Sequence, residues 1–549
     1  MAWYDEAVFY HVYPLGLTGA PRQNDYGEPV HRLNTLLPWI GELKKAGFTA
    51  LYIGPLFQSV GHGYETTDYR LLDNRLGTNE DLKNFVAACH AEDIRVIFDG
   101  VFNHTGRDFF AFKDLQAHRE SSAYRDWYCN VNFWGNNEYN DGFSYANWGG
   151  HNMLVKLNVW NGEVRDYLFD TVRFWVSEFD IAGIRLDAAD VLDFGFMRDL
   201  RGVCDSIKSE FWLMGEVIHG DYSRWANQGM LHSVTNYELH KGLYSGHNDH
   251  NYFEIAHSIR RLNGIVGDKI RLYTFVDNHD VSRIWSKLNN KAHLFNVMLL
   301  LYTVPGIPSL YYGSEFGIPG DKQRGSDWNL RPALNLSDFS EDAPLCRLIK
   351  ALGRIKKQFP EVTWGEYKEL HLTTRQYAFA RILNGRAVIC ALNNDDQGAH
   401  MEIPLPVYAE EAVNLLTLQE ETEEDKNAAA EKRALRMKEE KKALQESLKA
   451  LKEAAADLTK SVKGALAAAK EADIYGPSLK DQMEASLREV EKALRASEDA
   501  YNKAAEKCGA SPMQGEGSTS GCESMEIRDG KLIVELGPNS GAVACVYSH

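Results

Sequence analysis

Positive charge is what this chain is shortest of. Its 60 lysines and arginines face 77 acidic residues, a net charge of −17, which argues against nucleic acid or an anionic membrane surface as partner. Long apolar runs are missing too, with no uninterrupted span of about twenty residues to cross a bilayer. The N-terminus, MAWYDEAVFYHVYP, has no basic segment followed by an apolar run. No secretory signal is read there, and a cytoplasmic location is expected. The eight cysteines, at 89, 129, 204, 346, 390, 508, 522 and 545, fall at no metal-ligand spacing. They read as buried or free thiols in a reducing compartment. No glycine-rich phosphate loop follows the first strand, which counts against a nucleotide-binding sheet.

What is present is core material with a rhythm. The chain is 44% hydrophobic and 11% aromatic, enough for a sizeable core, and its 549 residues exceed one ordinary domain. Strands are read at 7–13, 48–57, 94–104, 181–186, 211–217, 271–276 and 307–311, with helices at 33–46, 79–92, 163–178, 195–209 and 291–302. Apolar strands alternating with amphipathic helices predict a parallel sheet with helices outside. Eight such units in roughly 350 residues fit a (β/α)8 TIM barrel, an α/β fold, over 1–104 and 159–360. The rival is an open doubly wound sheet.

Residues 105–158 break the rhythm with aromatics, amides and glycine, including NFWGNNEYNDGFSYANWGGHN. A connection this long is usually functional. Rings that cover a pyranose face, and amides that bond its hydroxyls, make it a candidate sugar-binding wall. Short strands at 361–418 and 522–549 predict a C-terminal antiparallel β-sandwich. It is interrupted at 419–521 by a stretch dense in Ala, Glu, Lys and Leu, nearly balanced in charge and without Phe or Trp over 420–507. Leucines at helical spacing, and the punctuation IYGPSLKD, predict an α-helical hairpin with a flexible return linker; a break near 457–461 would make three helices. This insert reads as a spacer, an engineered fusion, or a surface for self-association or a partner.

The chemistry gathers at strand ends. In FDIAGIRLDAADV, 179–191, Arg185 and Asp187 lie two apart on a strand and point to one side. An arginine held there is expected to lower the Asp187 pKa and keep the carboxylate ionised. DGVFNH brings Asp99, Asn103 and His104 to the end of a third strand, LMGEV brings Glu216, and FVDNHD brings His279 and Asp280. In a (β/α)8 barrel these ends form one face, where catalysis sits.

With these four fragments in this order, the sequence resembles the α-amylase family of retaining glycoside hydrolases over about 5–418 and 522–549. GHGYETTDY at 61–69 and GIPSLYYGSEFG at 306–317 match further family patterns. The resemblance implies Asp187 as nucleophile, Glu216 as general acid/base and Asp280 as the third carboxylate. It implies sugar contacts or carboxylate orientation by Arg185, His104 and His279, stacking by Tyr64, and a structural part for Asp99. Retention needs a nucleophile and an acid about 5 to 5.5 Å apart with unequal pKa values, so Glu216 is expected to be raised.

The lysine–histidine pair that follows the strand-four motif in secreted amylases is replaced here by Asp190 and Val191. LVKLN at 154–158, and the pair Asp327 and Arg331, are similar to the neopullulanase and cyclomaltodextrinase branch. That branch usually carries an N-terminal β domain, whereas this barrel is expected to begin near residue 5. Asn103 matches a calcium ligand of secreted amylases, but Asn also caps and turns; no metal and no cofactor are expected. The implied activity is hydrolysis of α-1,4-glucosidic bonds in maltodextrins, extending to cyclodextrins and pullulan, by double displacement through a covalent glycosyl-enzyme. The partners are α-glucan oligosaccharides, not nucleic acid or membrane. The alternatives are a 4-α-glucanotransferase and a non-catalytic scaffold that binds through the insert.

Overall fold

The computed structural model describes residues 2–267, 270–340, 342–417 and 522–548, with 449, 460, 463 and 464. The chain divides into two units, Met1–Thr417 with Ser518–His549, and Leu418–Gly517. The expected helical hairpin lies outside the described residues, apart from Lys449, Lys460, Lys463 and Gly464, each of which is helical.

Eight parallel strands form the first unit's barrel: β1 (Phe9–Val12), β2 (Ala50–Ile53), β3 (Arg95–Gly100), β4 (Gly183–Leu186), β5 (Trp212–Gly215), β6 (Ser233–Val234), β7 (Tyr273–Phe275) and β8 (Ile307–Tyr311). Their order is β6-β5-β4-β3-β2-β1-β8-β7. A parallel bridge from Thr235 to Tyr273 brings the β6 and β7 edges together, so the open-sheet rival falls. β6 is absent from the sequence reading because two residues carry no periodicity. The helices that cover the barrel are α1 (Leu37–Lys45), α2 (Asn79–Ala91), α3 (Gly162–Phe179), α4 (Phe194–Ile207), α5 (Tyr237–Asn248), α6 (Tyr252–Val266), α7 (His293–Thr303) and α8 (Pro344–Gln358). Only a 3-10 turn, Tyr222–Arg224, stands between β5 and β6.

Strands buried on both faces read as continuous apolar runs rather than alternating ones. Inside the barrel Phe9, Ala50, Tyr52, Ile97, Trp212, Met214, Phe275 and Ile307 pack as one cluster, with Phe9 stacked on Trp212 at 4.9 Å between ring centres. The caps are in the sequence as well. Thr78 and Asp81 form the capping box of α2, and Asn161 and Asp193 accept the first N–H groups of α3 and α4.

The loop region after β3 builds a small antiparallel sheet from His104–Thr105, Asn147–Trp148 and His151–Lys156. Its own core is aromatic: Phe112 lies edge-on to Tyr128 and Tyr145. Arg107, ion-paired to Asp141 at 2.6 Å, also packs over Tyr139.

The C-terminal strands are β9 (Glu366–Leu372), β10 (Gln376–Leu383), β11 (Arg386–Asn393), β12 (Ala399–Pro404), β13 (Glu411–Asn414), β14 (Cys522–Arg528), β15 (Lys531–Leu536) and β16 (Ser540–Tyr547). They form two antiparallel sheets, β9-β10-β11-β16-β13 and β12-β15-β14. Ala378, Ile389, Met401, Ile403, Leu532, Val534, Ala544 and Val546 share one core between the two sheets, which is a β-sandwich. Each sheet joins strands from both sides of residues 418–521. Five cysteines, 89, 129, 204, 390 and 545, are free thiols among the described residues.

Candidate active site

The site follows from strand register. On adjacent strands Asp99 pairs with Arg185 and Leu186 with Gly215. One residue further, the chain leaves both strands at Asp187 and Glu216, with Asp187 N bonded to Gly100 O at 3.1 Å and Glu216 N to Leu186 O at 2.9 Å. Register therefore sets Asp99, Arg185, Asp187 and Glu216 at one end of neighbouring strands. Gly54 makes room for this, since a Cβ there would stand 2.4 Å from the Cβ of Asp99.

One guanidinium organises the acids. Arg185 Nη1 donates to Asp99 Oδ1 at 2.8 Å and to Asp187 Oδ1 at 2.9 Å, while Nη2 lies 2.9 Å from Glu216 Oε2. Arg185 is 3% exposed and Asp187 8%, so these charges interact with little solvent screening. Glu216 Oε2 also accepts the Ala188 N–H at 3.1 Å. Ala188 reaches it from a left-handed backbone, φ +46°, a conformation that costs an L-residue about 1–2 kcal/mol. Tyr237 Oη donates to Glu216 Oε1 at 3.4 Å.

A second group comes from the β7 end. Asp280 Oδ1 takes Arg331 Nη2 at 2.9 Å, and its Oδ2 lies 3.0 Å from His279 Nε2. Arg331 Nε donates to His279 O at 3.0 Å, and Asp327 stands 3.6 Å from the same guanidinium. Tyr64 joins the two groups. Its hydroxyl donates to Asp99 Oδ2 at 2.9 Å and lies 2.5 Å from His279 Nε2, and its ring stacks on His279 at 5.5 Å.

The protonation pattern departs from the sequence expectation. Asp187 is not held low. Burial pushes its carboxyl well above the usual range, Arg185 opposes that, and Glu216, Asp99 and Asp280 add to it. Burial is the largest cause, and Arg185, shared among three carboxylates, opposes it without overcoming it. Burial also raises Glu216, with Arg185 opposing and Asp280 adding, in the direction expected. The two titrate as a unit that retains a proton above the usual carboxylate range. Asp280 behaves oppositely. Burial disfavours its charge, but His279 and Arg331 hold it well below the usual range.

The structure brings Asp187, Glu216, Asp280, Arg185, Tyr64, His279, Asp327 and Arg331 together. Asp99 lies beneath them as a buried anchor. His104 is 1% exposed. Its Nε2 meets Tyr64 O at 3.1 Å, and its Nδ1 accepts from Asn103 Nδ2 at 3.2 Å, so it braces the Tyr64 backbone. Burial lowers its pKa to about 3, a neutral imidazole that suits this part.

Three participants escaped the sequence reading. Tyr52 donates to Asp99 Oδ2 at 2.8 Å, and its inward place on β2 was a usable signal. His11, on β1, stacks on Tyr52 at 4.1 Å. Tyr237 starts α5, directly after the two-residue strand that the pattern hid.

Comparison with known proteins agrees with this geometry. The family description "Alpha amylase, catalytic domain" matches residues 37–358. The cyclomaltodextrinase of Thermoanaerobacter pseudethanolicus is 29% identical over 423 residues, 72% of this chain and 71% of that protein. Neopullulanase 2 of Thermoactinomyces vulgaris is 29% identical over 434 residues, 73% and 72% of the two chains. Among solved structures, the Nostoc punctiforme debranching enzyme soaked with acarbose is 26% identical, with a TM-score of 0.65 over 73% of this chain and 92% of that one. No helix among the described residues is long and apolar enough to cross a membrane.

Proposed function

Because the chain belongs to the alpha-amylase family of glycoside hydrolases, we propose that it is a retaining α-glucan hydrolase opening α-1,4-glucosidic bonds of maltodextrins, extending to cyclodextrins and pullulan. The carrying observation is the single guanidinium of Arg185 with Asp187 and Glu216 on its two arms. Relatives named cyclomaltodextrinase and neopullulanase support the substrate class. A cytoplasmic place of action is part of the proposal, supported by a relative named intracellular maltogenic amylase from Bacillus subtilis.

The atoms suggest the roles. Asp187 Oδ1 faces Arg185, leaving Oδ2 to attack the anomeric carbon. Glu216 Oε2 meets two donors, so the proton belongs on Oε1, where it passes to the glycosidic oxygen as the bond breaks. The resulting glycosyl ester on Asp187 is then opened by water, whose proton returns to Glu216. Asp280, held ionised, adds negative charge beside a sugar ring that becomes cationic in the transition state. These side chains supply every role, so no resident metal or cofactor enters the scheme.

The test is chromatography of products from maltoheptaose, β-cyclodextrin and pullulan. Short maltosaccharides from the linear and cyclic substrates, with panose from pullulan, are expected. Products longer than the heptamer would favour transfer, and no products from folded protein would end the proposal. Arg331→Lys should keep the fold and lower kcat/KM by about a hundredfold. One ammonium does not replace both the bond to Asp280 and the bond to His279 O, and a small misplacement of reacting groups costs about that much. An unchanged kcat/KM would remove Arg331 from the site.

A further inference from the structure

Among the described residues three tryptophans are exposed, all in or beside the loop region after β3: Trp134, Trp148 and Trp160. Trp148 is the one that also touches the site. It is 40% exposed, and its ring centre lies 6.1 Å from that of buried His104, whose Nε2 meets Tyr64 O. Part of the indole therefore covers the histidine that braces Tyr64, and the rest meets solvent. Strand pairing fixes the ring there. Trp148 pairs with His151 across the two-residue loop Gly149–Gly150, and both glycines have positive φ, +62° and +84°, as in the tight turns that join hairpin strands. Asn147 accepts the Gly150 N–H at 3.0 Å and donates to Asn152 Oδ1 at 2.6 Å. The His151 ring stacks beside the indole at 6.4 Å. A ring held in this way loses little freedom when a ligand lands on it. His104 also pairs directly with Lys156, so both side chains leave the small sheet on the same side. The Lys156 ammonium has no hydrogen-bond or ion-pair partner among the described residues, and it is not sealed from solvent. An open aromatic surface and an unengaged donor thus stand on one wall, next to Tyr64.

We infer that Trp148 is the platform for a second glucose ring: the unit next to the one being cleaved lays a pyranose face on the indole, and Lys156 donates to one of its hydroxyls. The inference rests on the hydrolase reading for what the cleft holds. A glucose ring shows C–H groups on its faces and hydroxyls around its edge, so a flat ring with a donor beside it complements both. Neither side chain takes part in bond breaking. The contact therefore acts on the binding of longer chains and not on the reacting ring, and Trp148 favours substrates that carry a ring beyond the cleaved one.

The experiment takes two readouts from the full chain. In the Asp187→Asn background, which consumes almost none of the ligand, calorimetry measures the binding of maltoheptaose. Trp148→Ala should weaken it about tenfold, Trp148→Phe should recover most of that loss because a ring remains, and Lys156→Met should cost less than Trp148→Ala. In the catalytically intact chain, maltoheptaose is compared with α-glucosyl fluoride, which has one ring and no neighbour. The kcat/KM that Trp148→Ala loses on maltoheptaose should exceed its loss on the fluoride by about tenfold, and the maltoheptaose loss should fall on KM. Unaltered maltoheptaose affinity in Trp148→Ala would overturn the platform. So would equal losses on the two substrates, or a loss carried by kcat alone, as collapse around His104 would cause. Turnover of neither substrate by the intact chain, with maltoheptaose binding that still needs the ring, would end the hydrolase reading and leave the platform standing.

Discussion

Asp187→Asn is expected to fold normally and to lose kcat on the order of 10⁵-fold, the scale on which removal of a nucleophile acts. Glu216→Gln should lose roughly 10²- to 10⁴-fold on a natural glucan, the usual share of general acid catalysis. Leaving-group chemistry separates the two. An aryl maltoside that departs as a nitrophenolate needs no proton, so Glu216→Gln should recover most of its first, bond-breaking step on that substrate. Asp187→Asn should recover nothing. Both variants should melt at or above the wild-type temperature, because each removes one member of a buried like-charged pair held by a single guanidinium. Rescue of Asp187→Asn by the activated leaving group would reverse the assignment. Wild-type turnover in either variant would remove both residues from the chemistry.

The placement of Asp187 and Glu216 was legible in the sequence because each carboxylate ends a short apolar strand, and polar residues closing buried strands stand out. What was hidden is what strands do to one another. Arg185 beside Asp187 is visible in three letters, RLD, and on that view the arginine lowers its neighbour. The same guanidinium bonds Asp99, 86 residues away, and Glu216 on the next strand. Burial first, and that sharing second, reverse the direction for Asp187, and no local window contains either. β6 escaped for a different reason: two residues are too few for a pattern, and Tyr237 beyond it escaped with it. His104 shows what a local motif leaves out: read as a sugar contact or an orienter of carboxylates, it also braces the carbonyl of Tyr64. The insert at 419–521 was read from leucine spacing and cap residues alone.

Arg185→Met should produce the largest loss of stability of any single change at the site, about 3–5 kcal/mol, the range for stranding buried charges by removing their partner. Among the described residues it leaves Asp99, Asp187 and Glu216 with no cation at hydrogen-bond distance, while Arg331 remains with Asp280. The sign of the pH dependence follows. Asp187 and Glu216 already have folded-state values raised by burial, and without Arg185 they rise further. A carboxyl raised in the folded state favours folding at low pH, where both states are protonated, and costs stability as pH climbs through the raised value. Asp280 is the opposite case, held low, so its contribution is present above its unfolded value and lost as pH falls. Arg185→Met should therefore lie nearest the wild type in mild acid, and the gap in melting temperature should widen between about pH 5 and pH 8. Adding Asp187→Asn and Glu216→Gln to Arg185→Met should recover part of the loss, a coupling that simple loss of arginine packing would not produce. A gap independent of pH, with no rescue by the amides, would mean that Arg185 acts by filling space. The expected outcome ties stability to chemistry: the burial that keeps a proton on the pair also makes the pair depend on one buried arginine.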